Sequence, residues 1–401
     1  PRMVSFSEIH SSMNIVYISH WRFPSEKTMS PLIMKTCEGF ARSGHRVELW
    51  IPRRRNLTFR GVDPFEYHGI ERIFRIRPIP VIDLLGIFPG SFWFYLLVAS
   101  FNISVFANCL KSDFKQGVFY FHDARDALGI SFLGRPTFLE IHDFYKSNIR
   151  WINAQVFPRL WGFIVTNKIK MRALETDFGI PIPRMLHQPN AVDMKMFSID
   201  ISKERAREKL GLPMGKRIIL YTGHLFDWKG VDTLFDAHQF FNADEIIYFV
   251  GGTDEDIEKF KVKSEMLKVE NVVIVGRRPH DEIPLWLRAA DMLVLPNTAK
   301  DEVSRVETSP VKLFEYMASG RPIIASDIPS IRNVVDESMV FFAEADNSRS
   351  FADAVHKGLS DSEGADRRAE QARREAQKYS WERRNTAILE FVAQQLKTAA
   401  G

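Results

Sequence analysis

The chain has 401 residues, of which 45% are hydrophobic and 26% charged, and its formal net charge is +4. This length exceeds what one hydrophobic core usually supports, and the composition excludes disordered and fibrous classes, so we expect two globular domains. The only cysteines, Cys37 and Cys109, lack metal-ligand spacing and indicate a reducing compartment. The first residues, PRMVSFSEIHSS, contain no apolar segment typical of a secretory signal, and none is expected.

Strand and helix patterns alternate through the first half of the chain. An apolar run at 14–19 predicts a strand, and the amphipathic segment 31–44 predicts a helix. A second strand at 46–51 completes a β–α–β unit, which implies a parallel sheet with a right-handed crossover. Further strands are predicted at 118–121, 137–141 and 162–166.

In this first half, the long apolar segment 91–110 predicts a helix. Its length would span a bilayer, but its place between parallel strands requires a crossover helix, so no membrane span is expected. If its least apolar stripe faces outward, the exposed side contains Trp93 and Leu97; the alternative is that another segment covers that stripe. Together with Arg72, Arg75 and Arg77 this stripe predicts contact with an anionic membrane surface. The stripe consists of Trp93, Leu97, Ser100, Ser104, Asn108 and Lys111.

A second strand–helix series follows the turn-rich segment 187–197, which has the character of a linker. Its strands are predicted at 217–222, 246–250, 272–275, 291–296 and 322–326. This pattern predicts a second doubly wound domain, with the boundary between 1–190 and 191–380. Ligands in such sheets bind outside the carboxyl ends of strands. We therefore expect these loops to converge on one cleft: 20–30, 142–148, 223–230, 276–280 and 297–310.

Charge is divided unevenly between the two halves. Residues 1–195 carry 25 Lys and Arg against 16 Asp and Glu, a balance of +9, and the remainder carries −5. A basic half could meet nucleic acid, an anionic membrane or an acidic substrate. No helix-turn-helix, zinc-finger or aromatic RNA-binding signature is present, so nucleic acid is not expected.

Six motifs in order carry a resemblance to a known family. They are TCEGFARSGHRVELW (36–50), QPNAVD (188–193), YTGHLFDWKG (221–230), LVLPN (293–297), ETSPVKLFEYMASGRPIIASDIPSIRNVV (307–335) and YSWERR (379–384). Over nearly its whole length the sequence resembles family 4 glycosyltransferases. The resemblance implies the α/β GT-B fold: two Rossmann-like, doubly wound parallel-sheet domains facing a central cleft. It also implies an acceptor-side domain, 1–190, a donor domain, 191–380, and a last helix, 381–398, packed back on the first domain.

The resemblance assigns roles to two glutamates separated by seven residues. Glu307 would contact hydroxyls of the donor sugar, and Glu315 would accept from the ribose hydroxyls of the nucleotide, since a carboxylate accepts two such bonds at once. Between them a helix would begin near Thr308 to Val311, and the free amides of this stretch would hold the diphosphate. Pro310 has no amide hydrogen, so the donors expected to matter are Ser309 and Val311, with Thr308 also in the binding segment. The plainer alternative is a first-turn glutamate at 307 and a surface glutamate at 315.

The loop GHLFDWKG (223–230) would supply the remaining phosphate contacts. The family usually has an arginine at the start of this loop and a second basic residue five positions later. Here Lys229 is present, but His224 takes the place of the arginine and carries charge only when protonated. This departure affects donor affinity more than reaction type. Alternatively, each residue is an ordinary loop side chain without a ligand.

Two first-domain histidines match family positions. His142 lies just beyond a predicted strand and takes the family role near the reacting sugar. His122 ends the preceding strand, and packing or capping is the favoured interpretation. The triplet Asp254–Asp256 opens a helix and is interpreted as capping, not as a metal site. Gly251 and Gly252 do not form a dinucleotide fingerprint, so no cofactor and no metal are expected.

The resemblance implies a retaining, metal-independent hexosyl- or glycosyltransferase that uses a nucleotide-diphosphate sugar as co-substrate. The acceptor would be a glycan or lipid-linked molecule in bacterial-type polysaccharide or glycolipid synthesis, in the cytoplasm or on the inner face of the membrane. The alternative is a non-catalytic GT-B homologue that binds a nucleotide-sugar or glycan, since fold alone does not establish chemistry. The sugar, base, acceptor, linkage and oligomeric state are left open by the sequence.

Overall fold

The computed structural model describes residues 12–25, 27, 29–85, 87–88, 90–111, 117–142 and 150–400. The chain forms two compact units. The first unit contains the described residues up to Pro189 together with the last helix from Trp381, and the second unit is Asn190–Ser380.

Each unit is built on a parallel sheet. Within the described residues the first sheet has seven strands in the order β3-β2-β1-β4-β5-β6-β7, and the second has six in the order β10-β9-β8-β11-β12-β13. In each sheet the second and third strands are added on one side of the unit's first strand, and all later strands are added on its other side, as in doubly wound folds. The strands are β1 (Asn14–Ile18), β2 (Arg46–Pro52), β3 (Arg75–Ile79), β4 (Val118–Phe121), β5 (Thr137–Ile141), β6 (Gly162–Val165), β7 (Met185–His187), β8 (Arg217–Thr222), β9 (Glu245–Val250), β10 (Val272–Gly276), β11 (Met292–Leu295), β12 (Ile323–Ser326) and β13 (Phe341–Ala343).

Helices connect the strands in both units. They are α1 (Met29–Arg42), α2 (Pro64–His68), α3 (Ser91–Lys111), α4 (Ala124–Ser131), α5 (Arg150–Val156), α6 (Lys168–Phe178), α7 (Met194–Phe197), α8 (Lys203–Leu210), α9 (Val231–Asp236), α10 (Asp254–Met266), α11 (Ile283–Ala289), α12 (Val311–Ser319), α13 (Pro329–Arg332), α14 (Ser348–Ser360), α15 (Ser362–Ala376) and α16 (Trp381–Ala400). The alternation of strand and helix predicted from the sequence is thus confirmed in both halves.

Three strands were not predicted from the sequence, and all three lie at sheet edges: β3, β7 and β13. An edge strand is covered less completely, so its sequence need not be a continuous apolar run. The strand β3, RIRPI, shows this most clearly, because it combines two arginines with a proline that an edge strand tolerates.

The last helix, α16, belongs to the first unit. Its apolar side chains Ile388, Phe391 and Val392 are buried, and the ring of Phe391 lies 6.2 Å from that of Phe138 on β5. The fully buried guanidinium of Arg384 pairs with Glu140, also on β5. Core packing and a buried ion pair therefore both attach the end of the chain to the first sheet.

The helix α3 is a crossover between β3 and β4, as predicted, and of the two alternatives for its least apolar stripe the covered one is observed at Leu97. Leu97 is fully buried, and Phe101 and Val105 join the core of the first unit. The exposed side is instead apolar and contains Phe92, Tyr95, Ile103 and Leu110. By length and composition alone, Ser91–Leu110 could cross a membrane, yet one face of the helix packs on its own sheet.

Candidate functional site

The loop between β8 and α9 turns sharply at two glycines. Gly223 has φ +114° and Gly230 has φ +69°, conformations that favour glycine. A Cβ at Gly230 would lie 1.9 Å from the carbonyl oxygen of Pro296, so the loop passes directly against the chain that follows β11. This close approach fixes the position of the residues between the two glycines.

Lys229 lies in this loop, immediately before Gly230. Its Nζ is 3.7 Å from the centroid of the Trp228 ring, and burial lowers the pKa of its ammonium group to about 8. In the described part of the chain Lys229 forms no ion pair with a carboxylate. It is therefore a partly buried cation without a counter-charge.

Lys312, in the first turn of α12, approaches the same loop. Its Nζ is 4.0 Å from the centroid of the Tyr221 ring, and a Cβ at Gly223 would lie only 2.7 Å from that Nζ. Burial and then the charge of Lys229 lower the pKa of Lys312 well below its ordinary value, against the opposing effect of Glu315. The described residues provide no ion-pair partner for Lys312 either.

His224 borders the two lysines. Its ring stacks on Phe226 with 4.8 Å between centroids and an interplanar angle of 2°. Burial, followed by the charge of Lys312, lowers the pKa of His224 from its ordinary value. His224, Lys229 and Lys312 thus form one cluster of basic groups, which we call the basic cluster.

The start of α12 adds backbone donors. The helix begins at Val311, after Pro310, and within the described chain the amides of Ser309, Val311 and Lys312 have no hydrogen-bond acceptor. The Thr308 amide, which the sequence suggested would be free, donates to the carbonyl of Val303 at 2.9 Å. The donors predicted from the sequence at Ser309 and Val311 are therefore accompanied by Lys312 and not by Thr308.

The two predicted glutamates flank this helix start. Glu307 is the last residue of the π-helical turn Val303–Glu307, and its side chain is partly buried. Glu315 lies on α12, and its Oε1 is 3.2 Å from Nε2 of the exposed His280. Glu315 belongs to the same electrostatic environment as Lys312, whose pKa it raises.

In the first unit, His142 follows β5 and forms part of a buried charged group. Its Nε2 lies 2.6 Å from Oε1 of Glu140, although the angle is not that of a hydrogen bond. Glu140 also pairs with Arg384 and accepts from the hydroxyl of Tyr120 at 2.7 Å. Burial alone would raise the pKa of Glu140, but the charges of Arg384 and His142 hold it well below its ordinary range.

A second histidine–carboxylate pair in the first unit was missed from the sequence. Nδ1 of His20, after β1, is 2.9 Å from both carboxylate oxygens of Asp126 on α4. Burial opposes the charged imidazole, but Asp126 raises the pKa of His20 overall. The ring of His122 packs against His20 and Tyr17, while Asp123, and not His122, caps α4. The interpretation of His122 as a packing or capping residue is therefore confirmed, through packing.

Lys312 was also missed, although the sequence contains a signal for it. A lysine in the first turn of a helix opposes the positive end of the helix dipole and is unfavourable there. The position of this lysine at the helix start is therefore the signal that the sequence contains. The pair His20–Asp126 offers no comparable signal, because its members are 106 residues apart.

The acidic triplet Asp254–Asp256 acts as a helix terminus. Thr253 Oγ1 accepts from the Asp256 amide at 3.2 Å, and the Asp256 carboxylate accepts from the Thr253 amide at 3.0 Å, which is a complete capping box. Among the described residues there is no group of three or more His, Cys, Asp or Glu side chains that could hold a metal ion.

Comparison with known proteins finds a family match in the part of the chain that contains the basic cluster. Residues 202–375 match the family described as "Glycosyl transferases group 1". D-inositol 3-phosphate glycosyltransferase of Xylanimonas cellulosilytica is 25% identical over 234 residues, which cover 55% of this chain and 54% of that protein. The chain thus matches about half the length of this curated relative.

Solved structures resemble the whole chain more closely in fold than in sequence. Sucrose-phosphate synthase from Thermosynechococcus elongatus has a TM-score of 0.77 at 18% identity and covers 96% of this chain and 100% of its own. Anabaena Alr3699/HepE in complex with UDP has a TM-score of 0.75 at 18% identity, with coverage of 95% and 100%. The chain has the GT-B fold, and the matches together support the GT-B glycosyltransferase superfamily.

Proposed function

We propose that the chain is a metal-independent, retaining glycosyltransferase that transfers a sugar from a nucleotide-diphosphate donor to a glycan or lipid-linked acceptor. The observation that carries this proposal is the pair Lys229 and Lys312, two partly buried cations without a carboxylate partner in the described chain, beside unbonded helix amides. The fold and the family match at residues 202–375 support the reaction class.

The basic cluster fits a diphosphate. Burying a charge without compensation is costly, and burial accordingly lowers the pKa of both lysines. A diphosphate would supply the missing negative charge and accept from the amides of Ser309, Val311 and Lys312, as anions do at helix N-termini. Lys312 would thereby provide, beside Lys229, the second basic side chain for which the family usually has an arginine at the position of His224.

The glutamates and His142 complete the proposed donor contacts. We assign Glu315 to the ribose hydroxyls and Glu307 to hydroxyls of the donor sugar, because carboxylates accept such bonds well. His142 is assigned to the sugar side of the reaction. Its Nε2 lies 2.6 Å from Oε1 of Glu140, whose other partners, Arg384 and Tyr120, hold the carboxylate in place.

The proposed reaction breaks the bond between the anomeric carbon and the phosphate oxygen and forms a bond from that carbon to the acceptor oxygen on the same face. The acceptor hydroxyl proton passes to the departing phosphate oxygen. Negative charge grows on the diphosphate during this step, and fixed cations and amides stabilise it most where charge develops. Lys229, Lys312 and the start of α12 would perform this function, with neither cofactor nor metal ion.

We also propose that the enzyme acts in the cytoplasm and contacts an anionic membrane surface peripherally, consistent with glycolipid or polysaccharide synthesis. The support is the exposed apolar side of α3, which includes Phe92 (70% exposed) and Ile103 (70% exposed), in the half of the chain with a charge of +9. Exposed apolar groups combined with excess basic residues are typical of such contacts.

A ligand screen followed by a turnover assay tests the proposal. A nucleotide-sugar at 100 times its Kd should stabilise the protein by about 2.7 kcal/mol, which a thermal shift detects. The same nucleotide-sugar should then lose its nucleotide in the presence of acceptor extract, with chelator present, and NMR of the product should show the anomeric configuration of the donor. Binding without release would instead indicate a non-catalytic homologue, and no stabilisation by any nucleotide-sugar would contradict the proposal.

A further inference from the structure

The first unit contains a cavity that no role above uses. Its volume is about 580 Å³, and it opens where β2 and β3 end and the loop after β1 begins. Five arginines and a single aspartate line it, together with apolar side chains. We call it the arginine cavity; its charged lining residues are Arg22, Arg53, Arg54, Arg72, Arg75 and Asp63.

The arginine cavity carries more positive than negative charge. Arg72 pairs with Asp63 at 2.8 Å, and Arg54 pairs with Asp83 at 3.0 Å. Arg53 and Arg75 are exposed, and neither forms an ion pair with any described residue. Two guanidinium groups at the rim are thus available to an anion without breaking an existing pair.

The floor of the cavity is apolar. The rings of Phe65 and Phe74 lie 5.0 Å apart, and the guanidinium of Arg72 sits over Phe65 with Cζ 4.7 Å from the ring centroid. Stacking of this kind fixes a guanidinium plane, and a fixed plane offers two parallel donors to a phosphate. An apolar floor beneath several guanidinium groups suits a molecule in which a phosphate is joined to a less polar part.

We propose that the arginine cavity binds the phosphate or diphosphate group of the acceptor substrate. The inference rests on the proposed function, because it names the chemical class of the acceptor of that reaction. The ion pair of Arg54 with Asp83 joins the cavity rim to the neighbouring residue Ile82, which is apolar and 51% exposed. An apolar surface beside the cavity fits a phosphate attached to a lipid; a soluble sugar phosphate shares the same head-group chemistry.

The first experiment measures binding of inorganic pyrophosphate. The variant Arg53→Ala/Arg75→Ala removes the two rim arginines, and Arg55→Ala/Arg60→Ala removes two exposed arginines of the same unit that do not line the cavity. Both are made with Lys229→Met/Lys312→Met, so that pyrophosphate does not bind the basic cluster. Loss of charge-assisted hydrogen bonds should weaken binding about tenfold or more in the first variant, with the control unchanged.

The second experiment identifies the source of the phosphate. Both pairs of arginine substitutions are assayed for flotation with phosphatidylcholine vesicles that contain or lack phosphatidic acid. Arginine-dependent flotation only with phosphatidic acid supports a lipid-linked acceptor, whereas arginine-dependent pyrophosphate binding without flotation supports a soluble phosphorylated acceptor. If Arg53→Ala/Arg75→Ala matches its control in both experiments, the inference is overturned.

A third measurement separates this inference from the proposed function. Stabilisation by nucleotide-sugars depends on the second unit, so Arg53→Ala/Arg75→Ala in an otherwise unaltered chain should retain it in full. If nucleotide-sugars stabilise the protein but phosphate binding does not depend on Arg53 and Arg75, only the inference about the arginine cavity is wrong. If phosphate binding depends on Arg53 and Arg75 but no nucleotide-sugar stabilises the wild type, the proposed donor is wrong. The arginine cavity then remains a phosphate-binding site.

Discussion

The two units differ in whether their buried charged side chains have partners of opposite charge. In the first unit Glu140 is surrounded by partners: Arg384, His142 and the hydroxyl of Tyr120 all contact its carboxylate. In the second unit Lys229 and Lys312 are partly buried with no carboxylate paired to either in the described residues, and the pKa of each is lowered. If the proposed function is correct, the paired charges of the first unit stabilise the folded state and the unpaired lysines of the second unit bind the donor diphosphate.

The physical basis of this contrast is the cost of desolvation. A buried ion pair offsets that cost internally, so removal of one partner leaves an uncompensated charge and is strongly destabilising. A buried cation without a partner already carries the cost, so its removal should leave the unliganded protein as stable or more stable. Stability and ligand affinity should therefore respond in opposite directions in the two units.

The largest effect is expected from breaking the buried pair in the first unit. Arg384→Met should lower the free energy of unfolding by about 3 kcal/mol, at the lower end of the usual range because His142 still accompanies Glu140. Chemical denaturation measures it, with the exposed neighbour Arg383→Met as control, for which a change within about 0.5 kcal/mol is expected. Adding Glu140→Gln should restore part of the loss. A variant as stable as the control would show that the pair does not hold α16.

The second prediction concerns the lysines. Lys229→Met/Lys312→Met should leave the unliganded protein at least as stable as the wild type, yet weaken nucleotide-diphosphate binding roughly 100-fold, since each charged contact contributes about 1.5–3 kcal/mol. Isothermal titration measures affinity, and thermal melting measures stability. The exposed Lys261→Met is the matched control in the same unit. If the lysine variant lost stability without ligand but bound nucleotide diphosphate as tightly as the wild type, the lysines would serve the fold and not the ligand.

The strands, the crossover helices and the position of the basic loop follow from local sequence, because apolar periodicity and glycine spacing are local signals. The exposed side of α3 does not follow, since a helix that is apolar on nearly every side has no periodicity to orient it. Edge strands such as β3 were missed for a different reason: they are covered less completely, so their sequences need no continuous apolar run.

The residues of the candidate site also differ in whether the sequence alone identifies them. Glu307, Glu315, Lys229 and His224 lie on motifs that the resemblance covers. Lys312 lies within one of those motifs, but only its contact with Gly223 shows that it faces the loop. The pairing of His20 with Asp126 joins distant parts of the chain, so it required the folded structure.

The third prediction distinguishes the two carboxylates that flank the start of α12. Glu307→Ala should abolish transfer while free nucleotide diphosphate still binds, because this carboxylate is assigned to the sugar. Glu315→Ala should weaken nucleotide diphosphate binding itself by about tenfold or more, as expected for lost hydrogen bonds to a charged group. Titration with nucleotide diphosphate and a transfer assay on both variants separate the roles. Equal losses of nucleotide affinity would show that the assignment is wrong.

The smallest effect is expected from His224, the only imidazole of the basic cluster. In the unliganded protein its pKa lies below the ordinary ~6.5, because of burial and the charge of Lys312. A bound diphosphate would favour the imidazolium and raise that pKa. The resulting gain in affinity is complete below the unliganded pKa and is lost as pH rises through the pKa of the complex.

Replacing His224 with arginine should remove this pH dependence. The affinities of His224→Arg and wild type for a nucleotide-sugar should converge as pH falls, and the variant should bind several-fold more tightly near pH 7.5, where neutral histidine contributes no charge. The comparison has to stay below the pKa of Lys229, about 8, since loss of that proton would weaken binding in both proteins. A nucleotide-sugar is the suitable ligand because its diphosphate does not titrate near neutrality. Parallel pH profiles would show that His224 does not face the phosphate, so that Lys229, Lys312 and the helix amides carry the anion alone.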